Sequence, residues 1–137
     1  ALIEFESGAS AQSTFSFESG MLRMGFVEIN GTEGTISLPD PNMFDGQNKL
    51  LSGVIDVKEV PLTGKTYGRG TGVLEMAQAI REGRQVRIPG EIAFHVLDIM
   101  LSINEAIETK SWVEVKSTLP EIKPLPAEWD PMVATLS

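Results

Sequence analysis

The amino-acid sequence predicts an α+β fold: a large, mostly antiparallel open β-sheet with two main helices packed on one face. Residues 1–38 alternate apolar and polar side chains with a period of two, broken by short turns containing Gly and Asn. Residues 71–83 and 90–109 change to helical spacing with start and stop signals. Meander strands precede these helices, not the first strand of a βαβ unit, so the expected sheet is antiparallel.

Leu2-Ile3-Glu4-Phe5-Glu6 reads as the first strand, and Ser7-Gly8 turns the chain. In the extended run that follows, Ala9, Ala11, Ser13, Phe15 and Phe17 share one face, while Ser10, Gln12, Thr14, Ser16 and Glu18 share the other. Ser19-Gly20 closes this run, and residues 24–29 supply a third strand. Asn30-Gly31-Thr32-Glu33-Gly34 then reverses the chain into residues 35–38, because Asn and Gly tolerate the positive φ that tight hairpins demand. Residues 39–48 form a loop, since two prolines, a glycine and several Asn and Asp residues propagate neither regular structure. Residues 49–62 hold one or two further strands, with Val54, Ile55, Val57 and Val60 as their β-branched content.

Thr71 is placed to cap the first helix, whose apolar stripe is Val73, Met76, Ala77 and Ile80 and whose stop is Gly83. The second helix begins after Pro89-Gly90, carries Glu91 where the helix dipole favours a carboxylate, and runs to about Thr109. His95, Asp98, Ser102 and Glu105 share one of its faces. Ile92, Phe94, Leu97, Ile99, Leu101 and Ile103 fill much of the rest, so heavy burial is expected. Residues 112–115 read as a last strand. Residues 120–131 carry four prolines and read as an extended surface segment. The whole chain, residues 1–137, reads as a single domain with a proline-rich tail at residues 120–137.

Composition narrows the function classes. A chain of 137 residues can bury a real core, and 42% hydrophobic with 22% charged residues is ordinary for a globular protein. A net charge of −8, with scattered basic residues, argues against a nucleic acid or an anionic membrane as partner. The absence of cysteine excludes disulfides and thiolate metal sites and suits a reducing, cytoplasmic setting. No apolar run reaches the roughly 18 residues of a membrane span.

Several motifs tempt a chemical reading. Gly64-Lys65-Thr66 resembles the end of a phosphate-binding loop, but the glycine that pattern needs five positions earlier is Glu59, whose charge would repel phosphate. Gly68-Arg69-Gly70-Thr71-Gly72 opens a helix, yet the third glycine of a dinucleotide fingerprint is missing from either starting point. The loop reads either as a flexible entry into the helix or as a cradle in which Lys65 and Arg69 hold a carboxylate or polar substrate. His95 is the only histidine, so a multi-histidine metal site is excluded. It shares a face with Glu91 and Asp98, and a bonded packing histidine is the plainer reading. Asn30-Gly31-Thr32 is formally a glycosylation sequon, but its hairpin role accounts for it.

The segment Glu28-Ile29-Asn30-Gly31-Thr32-Glu33-Gly34-Thr35-Ile36 resembles the strand–turn–strand segment of the glucose–fructose oxidoreductase/inositol dehydrogenase (Gfo/Idh/MocA) family. Residues 69–77, 79–84 and 90–100 are similar to further segments of that family, and Ala1-Leu2-Ile3-Glu4-Phe5-Glu6-Ser7-Gly8-Ala9 looks like its fence strand with the F-x-x-G turn. The resemblance implies the C-terminal substrate-binding and oligomerisation domain of an NAD(P)-dependent oxidoreductase acting on a sugar, polyol or related hydroxyl or carbonyl compound. It implies NAD or NADP in the intact enzyme and none bound by this fragment alone. The family's cofactor fingerprint and catalytic segments would lie upstream of Ala1, so no catalytic or cofactor-binding residue is assigned here, and none is transferred to His95. The resemblance also implies a homo-oligomer formed through the open sheet face, the face of Ser10, Gln12, Thr14 and Ser16. Within the chain, Lys65, Tyr67 and Arg69 are the expected substrate-binding residues: a charge, a phenol and a fork-shaped donor on one loop. The alternative is a non-catalytic self-association module using the same sheet face.

Overall fold

The structure, a computed structural model, describes residues 1–18, 20, 27–53 and 56–133. The elements run β1 (Leu2–Glu4), β2 (Ser10–Gln12), β3 (Val27–Asn30), β4 (Thr35–Leu38), β5 (Asn48–Ser52), β6 (Asp56–Val60), α1 (Thr71–Glu82) and α2 (Gly90–Thr109). The chain divides into two compact units. One holds Ala1–Leu22 and Pro89–Glu121, the other Arg23–Ile88 and Ile122–Ser137.

In the first unit β1 and β2 form an antiparallel hairpin with Ile3 opposite Ala11. Gly8 makes the turn possible by adopting φ +84°, and the Phe5 N–H donates to the Ala9 carbonyl at 2.9 Å. The Ala1 nitrogen donates to the Ser13 carbonyl at 2.7 Å and extends the pairing by one step. Among the described residues the ladder ends at Gln12, with the Ala1–Ser13 bond as its last step. β2 is therefore shorter than the alternation over residues 9–18 suggests, and Phe15 and Phe17 stand exposed.

The second unit carries a meander, β3-β4-β5-β6, antiparallel throughout. Cross-strand partners share a face, so the register sorts the side chains. Val27 and Leu38 pair on one face, as do Ile29, Ile36 and Leu50; Glu28, Ser37, Lys49 and Glu59 line the other. Lys49 lies directly opposite Glu59, a favourable charge pair. The β3–β4 turn closes with Gly31 N–H donating to the Gly34 carbonyl at 2.8 Å and the Thr35 hydroxyl donating to Asn30 Oδ1 at 2.7 Å.

The class is α+β with antiparallel strands, in two sheets of two and four strands where one large sheet was expected. Among the described residues, no Cα of either helix comes within 8 Å of a strand Cα in its own unit. The expected stripe of α1 faces outward, with Val73, Met76 and Ile80 all exposed; its buried positions are Glu75 and Ala79. Charge pairing, not apolar burial, selects that face. No residue of α2 is buried, against the heavy burial its apolar content suggests, and Phe94 (62%) and Leu101 (55%) are among its exposed side chains. Residues 112–115 form no strand, because nothing pairs with them in a ladder. Thr71 is the first helical residue and not the cap: Gly70 occupies the cap position at φ +92°. The Gly83 stop stands, in the left-handed conformation with φ +64°. The expected turn residue Ser19, strand residues 24–26, Val54 and Ile55, and tail residues 134–137 lie outside the described residues.

Gly34 has no room for a side chain: a Cβ there would sit 2.7 Å from the Leu51 carbonyl oxygen of the neighbouring strand. Gly34→Ala is expected to destabilise the meander by about 1–3 kcal/mol, the cost of overpacking against fixed backbone. Urea denaturation followed by far-UV circular dichroism measures it.

Candidate functional site

The loop leading into α1 is shaped by its glycines. Gly64 (φ +94°) and Gly70 (φ +92°) both take the left-handed conformation that a side chain would strain. A Cβ on Gly64 would also meet the Tyr67 hydroxyl at 3.4 Å. Between them, the Thr71 hydroxyl donates to the Gly68 carbonyl at 2.7 Å and accepts from the Gly68 N–H at 3.2 Å, fastening the loop to the first turn of the helix.

Two open clefts border this loop. One, of about 400 Å³, is lined by Lys65, Gln78, Glu128, Trp129 and Asp130. The other, of about 450 Å³, is lined by Tyr67, Arg69, Thr71, Leu74 and Met132. Tyr67 and Trp129 join them: their ring centroids are 5.7 Å apart at 45°, a tilted aromatic contact. The Trp129 indole N–H donates to Gln78 Oε1 at 2.8 Å, and the Arg69 guanidinium lies 6.0 Å from the Phe44 ring centroid. Lys65 thus borders the first cleft, and Tyr67 and Arg69 border the second.

Glu128, Trp129 and Asp130 were missed by sequence reasoning. They belong to the proline-rich tail, where the one available signal was a tryptophan inside a segment otherwise suited to solvent. Glu75 was also missed. Its carboxylate is almost fully buried and accepts from Arg84 Nη1 and, at 3.3 Å, from the Arg87 backbone N–H; the Arg87 Nε lies 3.6 Å away. Arg84 also pairs with Glu82. The hydrogen bond that Arg84 donates to Glu75, then that to Glu82, holds its guanidinium above its ordinary range.

In the first unit, the polar face of α2 finds a partner in the segment that follows it. Ser117 Oγ lies 2.7 Å from His95 Nδ1, and the Ser117 N–H donates to Asp98 Oδ2 at 2.9 Å. The Ser117 hydroxyl, then its backbone N–H, holds the Asp98 carboxyl below its usual range, helped by the Lys116 backbone and the nearby His95 against the opposing effect of burial. Asp98 orients the serine and not the imidazole ring. The cluster therefore lacks the base-orienting bond of a nucleophilic triad, and its role is to pin residues 116–117 to the helix. His95 is bonded to Ser117, 22 residues away in the chain, and not to Glu91.

The Rossmann dinucleotide site is built on parallel strands with a glycine-rich turn leaving the first of them. Every strand pair described is antiparallel, and the glycine-rich loop follows an irregular segment, so the described residues do not form that site. Among the described residues no group of three or more His, Asp or Glu could hold a metal ion, and no helix is long and apolar enough to cross a membrane. Comparison with protein-family models, curated proteins and solved structures returns no match.

Two outcomes follow from these clusters. Glu75→Gln leaves two arginines around a neutral amide. It is expected to cost about 2–3 kcal/mol in urea denaturation, below the range for a fully buried pair because Arg84 is 31% exposed. Asp98 titrates lower in the folded chain than its model-compound value of 3.8, so its stabilising contribution is present above that value and is lost as pH falls through the folded-state value. Acid titration followed by circular dichroism should therefore show a shallower loss of stability for Asp98→Asn than for the unaltered chain.

Proposed function

We propose that this chain is the substrate-binding and oligomerisation part, the C-terminal domain, of an NAD(P)-dependent oxidoreductase acting on a sugar, polyol or related hydroxyl or carbonyl compound. By itself it is catalytically inactive. The observation that carries the reading is the convergence of Lys65, Tyr67 and Arg69 on two adjoining clefts beside α1. Ammonium, phenol and guanidinium supply donors for hydroxyl or carboxylate oxygens, and Glu128, Asp130 and Gln78 supply acceptors for hydroxyl protons. The segments resembling the Gfo/Idh/MocA family give the cofactor class, which the protein would bind through sequence outside these residues. In this reading the chain's own part is to bind and orient the substrate.

The full-length gene product, titrated with NADH and NADPH and followed by tryptophan fluorescence, is expected to bind one of them, while residues 1–137 alone bind neither. Lys65→Ala and Arg69→Ala in the full-length protein are expected to raise KM for the oxidised sugar or polyol about tenfold each, the loss of one charge-assisted hydrogen bond, with a smaller effect on kcat. Absence of cofactor binding by the full-length protein would remove the oxidoreductase reading.

Self-association without catalysis is the second reading. It is favoured by exposed apolar side chains on two separate elements, Val27, Ile29 and Ile36 on the β3–β6 sheet and Phe94, Leu97 and Leu101 on α2. Sedimentation equilibrium that returned only monomer at tens of micromolar (~10⁻⁵ M, a weak-dimer range) would count against it.

A further inference from the structure

Residues 124–133 form one wall of both clefts, yet little ties them down. Pro124, Pro126 and Pro131 have no N–H to give to a ladder. The backbone bonds within the segment are local turns: Trp129 N–H to the Pro126 carbonyl at 3.0 Å and Val133 N–H to the Asp130 carbonyl at 3.2 Å. Among the described residues, its hydrogen bonds to the rest of its unit come from side chains, and the Ala127 backbone lies beside Gly64. Arg87 Nη1 donates to the Pro124 carbonyl at 3.0 Å, the Trp129 indole bonds Gln78, and the Trp129 ring leans on Tyr67. The segment contributes Glu128, Trp129 and Asp130 to one cleft and Pro131 and Met132 to the other.

We infer that residues 124–133 are a docking arm that opens and closes as a unit, with Trp129 as its latch against Gln78 and Tyr67. Closing the arm builds both clefts at once, and opening it dismantles both. A segment held by a few side-chain bonds and no backbone ladder belongs to the low-stability end of a fold, where local opening precedes global unfolding. A ligand that contacts the arm's side chains binds the closed form, so occupancy and closure are linked. That consequence rests on the ligand-binding reading above; the arm's movement does not.

The test needs no ligand. The chain has two tryptophans, and Trp112 is exposed and lies outside the arm. With Trp112→Phe as background, fluorescence reports Trp129 alone. Gln78→Ala combined with Tyr67→Leu removes the latch without touching the Glu75 pairs. The expected result is red-shifted emission, acrylamide quenching approaching that of a free tryptophan peptide, and cleavage after Glu128 by a glutamyl endopeptidase faster by on the order of tenfold, with the helical circular dichroism retained. Proteolysis tracks the open population, and one lost hydrogen bond changes that population by about this factor. Unchanged quenching and cleavage in the variant would overturn the inference. Loss of the helical signal together with the arm would overturn it too, since the segment would then be integral to the fold of α1.

Discussion

The carboxylate of Glu75 governs the architecture around α1. A charge this deeply buried is costly unless it is paired and hydrogen-bonded, and Glu75 meets that condition through Arg84, the Arg87 N–H and the Arg87 guanidinium. Meeting it forces the chain after Gly83 to fold back along the helix it has just left, since both arginines must reach a residue two turns behind them. Arg87, held there, donates from Nη1 to the Pro124 carbonyl and so sets where the tail segment begins. The helix face that results is Glu75 and Ala79, with Gln78 beside them to receive Trp129. One ion-pair cluster thus orients the helix, the return loop and one wall of the candidate site.

α2 is covered along one side only. Its polar side chains His95 and Asp98 are half-buried against residues 116–117, while Phe94, Leu97 and Leu101 face solvent. The covered side is apolar as well as polar, since Ile92, Ile99 and Ile103 are half-buried on it; the apolar residues left over stay exposed. The outward stripe of α1 makes the same point in the other unit.

The candidate site joins two parts of the sequence that lie some 50 residues apart, as the Trp129–Gln78 bond shows. The loop half was readable beforehand: glycines at a helix entry beside Lys65, Tyr67 and Arg69 mark a segment able to approach a ligand closely. The tail half was not, because its prolines describe only what the backbone cannot do, and the partner that turns Trp129 into a cleft wall is a glutamine on a distant helix turn. The cluster at Ser117 was unreadable for the same reason. A serine in an irregular segment gives no hint that it will bridge two residues of a helix nearly twenty positions upstream.

Local chemistry in the sequence determined the antiparallel strands, the Asn30–Gly34 turn, the helix spans near 71–82 and 90–109, and the Gly83 stop, since each depends on neighbours within a few residues. Tertiary structure alone decided which helix faces are covered, how far each strand pairs, and which side chains meet at the clefts. These depend on whether a partner is present. An alternating segment forms a ladder only as far as a second strand accompanies it, and an apolar stripe is buried only where another surface lies upon it. Around Glu75, the cost of an unpaired buried charge outweighed the pull of the apolar stripe, a competition that periodicity cannot register.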